Sequence, residues 1–223
     1  MLKQSRRYLG PGILFAGWMA VAPFASNAQA QGFEGTMSMT MNVSGQTFPV
    51  DYKLKGHKAR VNLEVGGRKN IVIIDLDTHT QTMLIPEFKA YLVHKGDSAS
   101  PISSTTPPKV TDMGTTETVA GHSCKDFKLE SEKYEGTACM TKEFGESPLG
   151  DTMTGQLGSA LKGDDVLQKA GVPLKLDLTF KEGEKPGNKA AMEVTSIAPG
   201  PVDAAEFEIP AGWQPMNSLP GAP

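Results

Sequence analysis

Met37, Met39 and Met41, spaced by two, are the residues whose type and spacing come nearest to a site. On a β-strand, residues two apart project from one face, so the three thioethers would line up. Thioethers are soft ligands that select Cu(I). They are also apolar and adaptable, suited to a core or to lining a pocket for a flexible ligand. Phe33 and Val43 continue the same parity, which favours core packing or an apolar lining. Copper is the alternative, and no metal site is assigned.

Cys124 and Cys139 are the two cysteines of the chain. Their separation is unlike a Cys-x-x-Cys redox pair, and a structural disulfide is expected. A hairpin with the two cysteines directly opposite tests the idea. It places Phe127 opposite Gly136 and Leu129 opposite Tyr134 on an apolar face. Lys128 then meets Glu135 and Glu130 meets Lys133 on the other face, two favourable cross-strand pairs.

The remaining polar chemistry is sparse. His57, His79, His94 and His122 lack the short spacing of a zinc motif and read as surface residues. Gly96-Asp97-Ser98 and Gly121-His122-Ser123-Cys124 do not match a strand–turn–helix nucleophile elbow. Asp75 and Asp77 suit a turn. A Gly-rich phosphate loop is absent. These residues assemble no catalytic constellation and call for no cofactor, so a non-enzyme is expected.

The elements that position these residues begin after a targeting segment. Lys3, Arg6 and Arg7 form a basic start, residues 13–24 a short apolar run, and Ala28-Gln29-Ala30 a cleavage signal. Cleavage is expected after Ala30, giving a periplasmic or secreted protein. Ser5-Arg6-Arg7-Tyr8-Leu9 leaves general and twin-arginine export both open. Removing residues 1–30 takes the formal net charge from −3 to −6. The mature chain has no basic stripe for nucleic acid and no transmembrane span.

Residues 31–210 read as a single, mainly β domain with minor α content. Its expected architecture is a curved, incompletely closed antiparallel sheet of about ten strands packed on one principal helix. Phe48, Val50, Tyr52 and Leu54 alternate with polar residues, as do Val61, Leu63 and Val65. Gly66-Gly67 is a hairpin signal leading into Ile71–Ile74, apolar on both parities and so expected to be buried on both faces. Strands near 80–85 and 90–93 follow. Residues 95–116, rich in Ser, Thr, Pro and Gly, read as a long loop too polar for core.

The principal helix is expected near 146–162. Ser147 would cap it, Pro148 would open it, and Leu149, Met153, Leu157 and Leu161 would form its apolar stripe. A further helical turn is expected near 164–170. Alternating strands follow at Leu174–Phe180 and Ala190–Val194, and residues 211–223 read as a flexible tail.

Several short motifs resemble one family. They are Phe33-x-Gly35, Ile74-Asp75 leading to Leu84-x-Pro86 and Tyr91, and Ala120-Gly121-His122-x-Cys124-Lys125. Cys139-Met140-Thr141-Lys142-Glu143-Phe144-Gly145 and Phe207-x-Ile209-Pro210-Ala211-Gly212 complete the set. Together they resemble the bacterial exported domain-of-unknown-function family forty-four twelve. That family is similar in plan to periplasmic lipoprotein carriers, whose curved sheet wraps helices and shelters acyl chains.

The resemblance implies a periplasmic protein binding a lipid, acyl chain or lipoprotein in a sheet–helix groove. Met37, Met39, Met41, Phe48, Tyr52, Met153 and Leu157 are its expected lining. The alternative is a structural or interaction module of the cell envelope, its partner an envelope protein and its working surface the loop 95–116.

Overall fold

The computed structural model describes residues 33–96, 108–144, 165–181 and 187–216. Six strands come first: β1 (Gly35–Val43), β2 (Gln46–Lys55), β3 (Lys58–Val65), β4 (Arg68–Asp75), β5 (Thr80–Ile85) and β6 (Ala90–Lys95). After β7 (Lys109–Val119), β8 (His122–Glu130) and β9 (Tyr134–Thr141) comes the short helix α1 (Asp165–Ala170). The strands β10 (Val172–Phe180), β11 (Lys189–Pro199) and β12 (Gln214–Pro215) complete the chain.

All twelve strands belong to one sheet, in the order β12-β6-β5-β4-β3-β2-β1-β11-β10-β9-β8-β7. Neighbours are antiparallel except β12 and β6, which run parallel. The sheet is unclosed, with β12 and β7 at its ends. The expected β class is therefore observed, with twelve strands rather than about ten. The expected helix near 146–162, with Met153 and Leu157, lies outside the described residues, as do the targeting segment and residues 97–107. The helical turn expected near 164–170 is α1, too short to be a principal helix.

Alternation decides which side is core. Met37, Met39, Val50, Tyr52, Leu54 and Val61 are buried together with Leu174, Leu176, Leu178, Met192 and Val194 in one continuous cluster on the inner face. Strand β4 serves two layers, as its double apolar parity implied. Ile74 joins the main cluster, while Ile73 packs on the outer face with Leu84, Val202 and Phe207. The hairpin turns suit the twist of their strands. Gly66 and Gly67 have φ of 59° and 76°, the positive values that a two-residue turn of this hand needs at both positions.

Three expectations are corrected. Within the expected loop 95–116, residues 109–116 are part of β7, at the edge of the sheet. Most of its side chains are exposed, so this strand needs no apolar alternation to exist. Its bulge between Asp112 and Thr116 further obscures the period.

The β8–β9 register is offset by two residues from the expected one. Phe127 faces Ala138, Leu129 faces Gly136, and Glu130 faces Glu135. A shift of two leaves every side chain on its own face, so burial could not distinguish the registers. The longer turn is built instead on Ser131, whose Oγ accepts from the amides of Lys133 and Tyr134. The predicted Lys128–Glu135 and Glu130–Lys133 pairs give way to Lys128–Glu130 at 2.9 Å and Lys181–Glu135 at 3.0 Å.

Within the expected tail 211–223, residues 214–215 form β12. The Gln214 amide donates to the Lys89 carbonyl and the Met216 amide to that of Tyr91. Trp213 packs against the outer cluster. Residues 217–223 lie outside the described residues.

Candidate functional site

The inner face is built from rows of residues directly opposite one another. One row crosses six strands: Met37, Tyr52, Val61, Val72, Met83 and Leu92, from β1 to β6. Met37, Tyr52 and Val61 are buried, whereas Val72, Met83 and Leu92 are half-buried. On the other side of β1, Met37 faces the half-buried Ile197 of β11. The row is thus covered in its middle and accessible at both ends.

A second row runs from Phe48 through Met41, Met192 and Leu176 to Ala138 and Phe127. Phe48 and Met41 are half-buried at one end, and the others are more deeply placed. Of the residues expected to line a groove, the structure brings Met37, Met39, Met41, Phe48 and Tyr52 onto this one face. Met37, Met39 and Tyr52 are core residues exposed by only 1%, 2% and 3%.

Val72, Met83, Leu92 and Ile197 were not picked out by sequence reasoning. The alternation of Met83 and Leu92 was legible, but only strand pairing shows that they continue the row of Met37 and Tyr52.

Tyr52 is the polar exception in its row. Burial pushes its phenol up to about 12, so the hydroxyl stays protonated at neutral pH. Among the described residues no hydrogen-bond partner reaches that hydroxyl. A buried hydroxyl without a partner is costly.

The cysteines are joined: Cys124 and Cys139 form a disulfide with Cα atoms 5.3 Å apart. Among the described residues one group combines three metal-ligating side chains, Glu117 with Cys124 and Cys139. The bridge occupies both sulfurs, and the Glu117 carboxylate is paired with Lys175 at 3.1 Å.

The histidines do not converge. His57 pairs with Asp77 at 2.6 Å on the exposed side of a turn. His122 pairs with Glu143 at 2.7 Å and meets the ring of Phe144 edge-on. The hydrogen bond from His122 holds the Glu143 carboxyl below the usual range. His79 and His94 are exposed, and Ser98 lies outside the described residues.

A comparison with curated proteins returns no match. Among solved structures, an uncharacterized conserved protein from Thermus thermophilus shares the fold. It has a TM-score of 0.50 at 9% identity, over 82% of this chain and 90% of that one. MucB in complex with MucA(peri) gives 0.44 at 14% identity, over 81% of this chain and 55% of that one. A LolA superfamily protein from Nitrosomonas europaea gives 0.37 at 9% identity, over 80% and 90%. The family model described as "Domain of unknown function (DUF4412)" matches residues 33–213, and the chain belongs to that family.

Proposed function

We propose that this is an exported, non-enzymatic protein that binds a lipid, acyl chain or lipoprotein against the inner face of its curved sheet. The observation that carries this reading is the contiguous half-buried run of Val72, Met83 and Leu92 on adjacent strands. Accessible apolar side chains that adjoin one another, rather than lying scattered, mark a binding surface. Methionine adapts its shape to varied apolar partners. Met41 and Phe48 extend the lining. Export past a cleaved segment 1–30 agrees with the disulfide, since such bridges persist in oxidising compartments.

Native mass spectrometry of protein taken from the periplasm without detergent tests the proposal. The expected result is extra mass that solvent extraction releases as lipid, and its loss in Val72→Lys. Val72 is the better position for a charge than Met39, where full burial would unfold the protein rather than block a ligand. A bare mass for the unaltered protein would overturn the proposal.

A second reading, an envelope interaction module, is favoured by β7. No described strand pairs with its outer edge, and Met113 on it is 49% exposed. Such an edge can accept a partner strand. Replacing Thr111 by Pro would then abolish partner capture while leaving any bound lipid in place.

A further inference from the structure

The buried hydroxyl of Tyr52 narrows the ligand class. In the row of Met37, Tyr52, Val61, Val72, Met83 and Leu92 it is the one polar side chain group, and its neighbours on both sides are apolar. Tyr52 is 3% exposed, and among the described residues its hydroxyl has no partner. Phenylalanine would fill the same place without burying a donor.

A site that presents a single donor within an apolar row suits a ligand with one acceptor within an apolar body. The row is accessible at both ends, at Ile197 and at Val72, Met83 and Leu92. The donor lies two strands in from Val72, under a closed part of the row, so a ligand entering at Val72, Met83 and Leu92 must open that part to bring a carbonyl to it.

We propose that the Tyr52 hydroxyl donates a hydrogen bond to the carbonyl of an acyl ester or amide, making the protein selective for acylated molecules over bare hydrocarbon. This rests on the groove proposed above. The phenol is a donor throughout the physiological range, because burial holds it protonated up to about 12. A carbonyl accepts without itself needing to donate, so neither group is left unpaired.

The experiment compares the full mature chain with Tyr52→Phe. The probes are methyl myristate and heptadecane, equal in heavy atoms, each displacing fluorescent 1-aminoanthracene. The proposal expects the ester-to-alkane affinity ratio to fall about tenfold in the variant, a loss of about one net hydrogen bond. The difference of ratios cancels effects common to both ligands. The variant is expected to melt no lower than the parent, since it removes an unpaired buried group.

Three results would overturn the assignment. An unchanged ratio, with both ligands bound, removes the role of Tyr52 and leaves the groove standing. A lower Tm for the variant shows that the hydroxyl already has a partner, such as a trapped water. If neither ligand displaces the reporter from the parent, the groove itself fails.

Discussion

Lys175 Nζ lies 3.1 Å from Glu117 Oε2, although their strands, β10 and β7, are separated by β9 and β8. Across a flat sheet those two strands would stand about 14 Å apart. The sheet bends enough to bring part of β7 within 8 Å of β11, four strands away, and the ion pair lies on the face that carries the disulfide. Cys139 sits opposite Lys175 and Cys124 opposite Glu117, so the bridge floors the bend and the ion pair spans it. The hydrogen bond to Glu117 raises the pKa of Lys175.

Both partners keep about a third of their side-chain surface exposed, 35% and 37%, and solvent weakens such a pair. Glu117→Gln is expected to cost less than about 1 kcal/mol in urea denaturation. A loss well beyond that would make the ion pair, rather than the covalent bridge, the cause of the bend.

The disulfide is the stronger constraint. It closes a loop with a sequence separation of 15, and chain entropy gives such a loop about 3 kcal/mol. The paired variant Cys124→Ala with Cys139→Ala should lose stability of that order. Both cysteines are only 2% exposed, so a reductant must await opening of the fold. Thiol titration under native conditions with dithiothreitol should find no free thiol, and two after denaturant is added. Prompt native reduction would contradict the buried placement.

What alternation can reveal explains how much of this fold was legible. Leu174, Leu176 and Leu178 each pack in the core with polar residues between them, and any reader of period two finds that strand. Tyr52 and Met39 were legible as inner-face residues for the same reason. The edge strand β7 was not, because Thr111, Asp112 and Thr116 pack against no core and carry no period. The outer cluster was half visible. Ile73 announced a second buried face, but its covering by Val202 and Phe207 joins residues far apart in sequence, which no local pattern encodes. The Tyr52 hydroxyl was invisible as a feature, since lacking a partner is a property of the packed state alone.

Gly136 marks a close approach that no other residue tolerates. A Cβ built there would meet the carbonyl of Asp177 on β10 and the side chain of Leu178. Because the obstacle includes backbone paired to the same strand, β9 and β10 would have to separate. Gly136→Ala should therefore cost more than about 2 kcal/mol, within the range of overpacked cores. Thermal denaturation reads this directly, and an unchanged Tm would mean that the two strands can part without loss.

The C-terminal segment is secured by a contact whose strength depends on pH. Glu34 accepts a hydrogen bond from the Val202 amide at 2.8 Å and pairs with Lys55 at 3.0 Å. Lys55 in turn donates to the Val202 carbonyl at 2.7 Å. The Val202 amide first, and Lys55 second, hold the Glu34 carboxyl below its ordinary value. A carboxylate whose pKa is lowered by folding stabilises the folded state above the ordinary value of about 4.3. That contribution disappears as the pH falls through the lowered value. Once corrected for intrinsic chemistry, hydrogen exchange should show the Val202 amide protected near neutrality and progressively released in acid. In Glu34→Gln the protection should be weaker and nearly flat across the same range. Equal pH dependence in both proteins would assign the release to another group.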